Sequence, residues 1–378
     1  MKFFKLMMIA LVAMVGMSSC SQSSDSDSIC DHNFIEHDYS KDIVGTWTVL
    51  LGNYADAMVI KADGTMNRTI VVDGKLVEYS LRYELVSNQI TLFYENGDVE
   101  KGRVDVIPDV GLSITLDDKT GDAYKFFCCE KDLSDEILGM WVCNDGPSDK
   151  ETDMVIQTFK EDGTVTKSGW SVASNEFIVN ETINYKVVGD LIFHQRPSDM
   201  VSEGVASHFA SKLTYMPNAN QLGDMLTNTA IKVVNGEVLE LSMSMLRVKQ
   251  SLNLTGKLYD YISAYVSNAK GKDEDFSILG NTFNISKIKS NDLDMFFRSI
   301  LSCIELNENT IKFTFNNNGR ESVYNDSITV DGNKVTVDMS TENPACRKVE
   351  MYMFQDADDC QLHIYMPTKS FINYFANL

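Results

Sequence analysis

The sequence predicts a mainly β chain of two or three tandem antiparallel up-and-down barrels, with a linking helix and a short C-terminal helix. Three observations lead there. An opening phrase, Ile43-Val44-Gly45-Thr46-Trp47, returns as Ile137-Leu138-Gly139-Met140-Trp141 and, more weakly, as Ile278-Leu279-Gly280-Asn281-Thr282-Phe283. A turn phrase follows each opening: Asp63-Gly64-Thr65, then Asp162-Gly163-Thr164, then Asn317-Asn318-Gly319-Arg320. Such echoes mark duplicated units. Between them, runs such as Leu81-Arg82-Tyr83-Glu84-Leu85 and Ile183-Asn184-Tyr185-Lys186-Val187 alternate apolar and polar residues, as half-buried antiparallel strands do.

The Asp-Gly and Asn-Gly pairs suit tight hairpins, where glycine takes positive φ without steric cost and Asp or Asn tolerates it. In the first unit, 41–131, about eight strand-like runs lie between Gly45 and Cys129, punctuated by Asp73-Gly74, Asn96-Gly97 and Thr120-Gly121. Eight strands suffice to close a small barrel and abolish its edges. The second unit, 132–250, is looser, with polar stretches at 197–207 and 217–228. Residues 251–276 are predicted to form a linker helix, because Leu254, Leu258, Tyr261, Ile262, Tyr265 and Val266 fall on one helical stripe. A divergent third unit, 277–378, carries a second apparent helix through Leu293, Phe296, Phe297, Ile300 and Leu301. Thr368 is placed as the N-cap of a terminal helix bearing Phe371, Ile372 and Phe375.

The N-terminus is an address. Lys2 and Lys5 precede an apolar run from Leu6 to Met17, then Ser18-Ser19-Cys20. This is the layout of a secretory signal, 1–19, whose removal leaves Cys20 to carry a lipid, with a flexible Ser/Asp-rich tether over 20–40. The run is shorter than the ~18 residues a spanning helix needs. The implied partner is a membrane, reached through lipid on Cys20.

The formal charge of −21 argues against nucleic acid, whose phosphates require a concentrated basic face. The longest basic cluster, Lys270 to Lys272, abuts Asp273, Glu274 and Asp275. Beyond Cys20 the cysteines are Cys30, Cys128, Cys129, Cys143, Cys303, Cys346 and Cys360, an odd number at irregular spacing. They give no disulfide framework and no zinc pattern, although Cys346 and Cys360 sit in adjacent apparent strands. His32, His37, His194, His208 and His363 show no close metal-ligand spacing, and Asp356, Asp358 and Asp359 lack the glycine of a calcium loop. No nucleophile elbow, P-loop or dinucleotide fingerprint occurs. No metal, cofactor or catalytic residue is therefore expected, and the chain is read as a non-enzyme.

Gly45-Thr46-Trp47 and Gly139-Met140-Trp141, each opening a first strand, resemble the Gly-x-Trp start of lipocalins. With the Asp-Gly-Thr turns and the lipidated N-terminus, the chain resembles the lipocalin-like lipoproteins of unknown function from Bacteroidota. The resemblance implies that Trp47 and Trp141 plug the closed ends of barrels. It also implies that Asp25 and Asp27, just after Cys20, direct the protein to the outward face of the outer membrane. Asp27-Ser28-Ile29 and Asp326-Ser327-Ile328 resemble the O-glycan acceptor of the same bacteria, making Ser28 and Ser327 candidate attachment sites. The expected role is binding of a small apolar or amphipathic ligand or of a neighbouring envelope protein. Service as an accessory subunit of an outer-membrane complex is the alternative, and a carboxylate-pair hydrolase a more remote one.

Overall fold

A computed structural model describes residues 39–52, 54–107, 110–117, 123–143, 156–171, 176–196, 207–219, 223–234, 237–267, 275–278, 281–284, 296, 299–338, 348–355 and 361–367. Cys20, Ser28, the signal, nearly all of the tether and the expected C-terminal helix lie outside the described residues.

The first unit is a closed barrel of eight strands: β1 (Gly45–Leu51), β2 (Tyr54–Ile60), β3 (Thr65–Val72), β4 (Lys75–Val86), β5 (Gln89–Tyr94), β6 (Val99–Ile107), β7 (Gly111–Leu116) and β8 (Ala123–Cys129). Each pairs antiparallel with its sequence neighbour, and β1 meets β8 to close the ring. Alternation sets the two faces. In β2, Met58 and Ile60 point into the barrel core while Ala55 and Ala57 point outward. The second unit repeats the plan with β9 (Gly139–Cys143), β10 (Ile156–Phe159), β11 (Thr164–Ser171), β12 (Glu176–Val188), β13 (Leu191–Gln195), β14 (His208–Met216), β15 (Met225–Val234) and β16 (Glu237–Val248).

The third unit departs from both. Its strands are β17 (Thr255–Ser267), β18 (Asp275–Ile278), β19 (Asn281–Asn284), β20 (Leu301–Asn307), β21 (Thr310–Asn317), β22 (Arg320–Asp331), β23 (Lys334–Asp338), β24 (Lys348–Gln355) and β25 (Gln361–Pro367). β18 and β19 pair only with each other, leaving seven strands in the ring. An up-and-down meander of odd strand number must close with its first and last strands parallel. β17 accordingly pairs antiparallel with β20 through its first residues and parallel with β25 from Asp260 onward.

The expected linker helix is thus a strand. The segment has a helical stripe, yet it is dense in β-branched and aromatic residues (Thr255, Tyr259, Tyr261, Ile262, Tyr265, Val266), and ladder partners on both sides decide the outcome. The phrase beginning at Ile278 belongs to the β18–β19 hairpin and not to the ring. The third opening is instead Leu254-Thr255-Gly256-Lys257-Leu258, with leucine where the first two units have tryptophan. Of the second apparent helix, Phe296, Ser299 and Ile300 are helical, but Leu301 begins β20.

Backbone hydrogen bonds align the three units. Tyr83 N donates to Gly64 O, Tyr185 N to Gly163 O and Ile328 N to Asn309 O, at 2.7–2.9 Å. One hairpin later, Val104 N donates to Asn88 O, Leu213 N to Asp190 O and Met353 N to Asn333 O, at 2.7–2.8 Å. The third counterpart of the Asp-Gly-Thr turn is therefore Glu308-Asn309-Thr310. The Asn318-Gly319 turn answers to Asp73-Gly74, one hairpin further on.

The first two barrels abut through outward residues Ala55, Ala57 and Val71 against Val188, Leu191 and Phe193. Thr48 Oγ1 donates to Asp190 Oδ1 at 2.7 Å across this seam. The second and third meet where Phe354 packs on Val142, Ile156 and Val248, beside the bond from Lys249 N to Gln355 O at 2.7 Å.

Gly189 is the tightest point of the first seam. Its φ is +64°, and a Cβ there would lie 2.8 Å from Thr46 Cγ2 and 2.9 Å from Cys129 Sγ. Gly189→Ala is expected to cost about 1–3 kcal/mol through left-handed strain and overpacking, measured by urea unfolding. Gly319→Ala, where a Cβ meets nothing within 4 Å although φ is +81°, reports the strain alone.

Candidate functional site

Both eight-stranded barrels are shut at one end by the same parts. The chain before β1 turns back so that Ile43 is fully buried, and Trp47 Nε1 donates to Ile43 O at 2.8 Å. Trp141 Nε1 likewise donates to Ile137 O at 2.7 Å. A buried indole thus has its N–H satisfied, and both tryptophans serve packing. Gly45 and Gly139 open these strands with φ of +153° and +112°. In the second barrel, Arg247 stacks on Trp141 with its guanidinium carbon 4.5 Å from the ring centroid, and donates to Leu138 O and Glu136 O. Tyrosine clasps complete the closure, Tyr83 Oη donating to Lys61 O and Tyr185 Oη to Lys160 O, both at 2.8 Å.

The barrels differ above this floor. Register places Arg68, Lys167 and Phe313 at equivalent inward positions, each the fourth residue past Gly64, Gly163 or Asn309. In the first barrel Arg68 grips Asp56, which is wholly buried: Nε lies 3.0 and 3.1 Å from the two carboxylate oxygens. Tyr54 Oη donates to Asp56 Oδ2 at 2.6 Å, and Arg68 Nη1 donates to Tyr79 Oη at 2.9 Å. The guanidinium also lies over Tyr124 and Phe126. Burial works against the charge on Arg68, but the Asp56 carboxylate outweighs it and holds the group protonated. Burial likewise raises the Tyr54 and Tyr79 phenols, so both stay neutral. This lumen is polar and internally paired.

The second lumen is polar and incompletely paired. Lys167 bridges to Glu181 at 2.7 Å. Gln157 and His194, each 2 % exposed, occupy the inward positions that hold Met58 and Leu92 in the first barrel. Gln157 Nε2 contacts Met243 Sδ at 3.9 Å, while Gln157 Oε1 and His194 Nδ1 have no hydrogen-bond partner. The His194 ring stacks on Phe209 with centroids 4.7 Å apart, and Arg196 lies over the other partner in that stack, 4.4 Å from the Phe209 centroid. Burial, then the charges of Lys167 and Arg196, push the imidazole down to about 3, so it is neutral at physiological pH.

The third lumen is mostly hydrocarbon, with Asp326, 8 % exposed, directly across from Ile311 on the inward face. Ile304, Leu306, Ile311, Phe313, Val335, Val337, Met351 and Met353 are all within 1 % of fully buried.

Sequence reasoning named Trp47 and Trp141 but missed Asp56, Arg68, Gln157, Lys167 and Glu181, and weighed His194 only as a metal ligand. The signal was a polar residue on the apolar face of an alternating strand, as in Met66-Asn67-Arg68-Thr69-Ile70. Ser327 is exposed on the outer face of β22. Among the described residues no group of three or more His, Cys, Asp or Glu side chains is arranged to hold a metal, and Cys129 is a thiol that burial raises to about 11. Compared with known proteins, the chain matches no family model and no curated protein sequence.

Between pH 6.5 and about 3 the unfolded chain protonates His194 while the folded chain resists. The unfolded state then binds more protons, so stability is lost as pH falls through that window, at up to roughly 1.4 kcal/mol per unit. His194→Leu, which installs the first barrel's residue, is expected to flatten the pH dependence of urea unfolding between pH 7 and pH 4 relative to the parent.

Proposed function

We propose that the protein is a non-enzymatic lipoprotein, tethered through lipid on Cys20 to the outer membrane, whose second barrel binds a small amphipathic molecule. The observation that carries this reading is the contrast among three lumens of one architecture. A barrel that only has to stand can be filled mostly with hydrocarbon, as the third is apart from Asp326. The second instead keeps Gln157, Lys167, Glu181 and His194 on its inward face beside Phe209 and Met243. Convergent polar groups on an apolar wall are the general character of small-molecule sites.

A second reading, an accessory subunit of an envelope complex, draws support from the β15–β16 arm, where Val238, Leu239 and Leu241 are 62, 44 and 50 % exposed. Native mass spectrometry of the protein extracted from its own membrane separates the two. A retained small-molecule adduct is expected. A bare polypeptide, or one bound only to another protein, would move the assignment to the accessory role. In the same spectrum, hexose-sized increments are the expected sign of glycans at Ser28 or Ser327.

The anchor has its own test. Cys20→Ala is expected to move the protein out of the membrane fraction with its domains folded; retention after a high-salt wash would refute the lipid assignment.

A further inference from the structure

The second lumen has a definite hydrogen-bonding character. Gln157 Oε1 accepts and cannot donate, and it is buried without a partner. Leaving such a group unmatched costs about 1–3 kcal/mol. The basic and acidic side chains at this level, Lys167 and Glu181, are 2.7 Å apart and answer each other. A carboxylate or phosphate brought to Gln157 would face its carbonyl and the Glu181 carboxylate. An ammonium would meet Lys167, and beyond it Arg196 over Phe209. An ester or hydrocarbon has nothing to donate. Gln157 is also the direct cross-strand partner of Lys167, which pairs in turn with Glu181, so the acceptor sits beside the neutralised pair on adjoining strands.

Resting on the reading of the second barrel as the binding site, we infer that its ligand presents an uncharged hydrogen-bond donor, a hydroxyl or an amide N–H, to Gln157 Oε1. His194 Nδ1 is the second contact for the same head group, and the apolar part of the ligand lies against Phe209 and Met243. The position equivalent to Gln157 holds Met58 in the first barrel, and that equivalent to His194 holds Leu92, both in its apolar core cluster, Met58 directly across from Arg68. These two substitutions convert a packed lumen into one with an unmet demand for a donor.

The test holds the tail constant and changes the head. The soluble Cys20→Ala protein is titrated by calorimetry with octanamide, 1-octanol, methyl octanoate, octanoate and octylammonium. Octanamide and octanol are expected to bind at least tenfold more tightly than the other three. Gln157→Met should erase their advantage over methyl octanoate while urea unfolding reports a fold at least as stable as the parent's. His194→Leu should reduce the advantage in part. Tightest binding by octanoate would point to Arg196 and overturn the inference. So would equal binding of all five probes, or a preference that survives Gln157→Met, and in each of these cases the barrel would still be a binding site. Failure of every probe to bind would instead overturn the barrel assignment itself.

Discussion

A closed barrel turns half of its side chains away from bulk water, and that enclosure constrains every inward residue. Because the ring leaves no sheet edge, the inward half of each strand faces only the other strands and the floor. Whatever lies there must pack as hydrocarbon or find its hydrogen bonds internally. The floor is built for this. The carbonyls of Ile43 and Ile137, which no ladder uses, accept the indole N–H of Trp47 and Trp141. The carbonyls of Lys61 and Lys160 each accept a tyrosine hydroxyl as well.

Under that constraint the three barrels have taken three routes from one template. At the position of Arg68, Lys167 and Phe313, the first places a cation with a dedicated acid and phenols around it. The second places a cation whose acid, Glu181, stands where the first has Tyr79. The third places a ring that is itself hydrocarbon. A buried ion pair is weak evidence for stability, since well-packed apolar residues of similar volume often do as well or better. Among the described residues, the second lumen holds the buried inward atoms Gln157 Oε1 and His194 Nδ1 without hydrogen-bond partners.

Much of the architecture was legible in the sequence, and the reasons are local. Asp63-Gly64-Thr65 and Asp162-Gly163-Thr164 form identical turns, with the Asp Oδ1 accepting from Thr N at 2.9 Å and from Thr Oγ1 at 2.6 Å. Two short-range signals of that strength fix the hairpins on either side. The third unit was misread for the opposite reason. Its opening strand carries two periodicities at once, and the choice between them comes from partners some fifty to one hundred residues away, β20 and β25. Its Asp-Gly-Thr turn has become Glu308-Asn309-Thr310, which has no glycine to mark it.

The lumen residues were hidden differently. Alternation identifies which face a strand buries, but a lone Arg68 or Gln157 on that face reads as an imperfection of the pattern until the units are aligned residue by residue. The alignment needs the closed-end hydrogen bonds, because only they set Gly64, Gly163 and Asn309 in register despite turns of unequal length. Once set, the comparison removes the background. The shared phrases define the repeat only loosely, whereas the positions where the repeats disagree in polarity, Met58 with Gln157 and Leu92 with His194, isolate the second lumen. In a chain made of copies, the positions that have kept a hydrocarbon side chain serve as internal controls for those that have not.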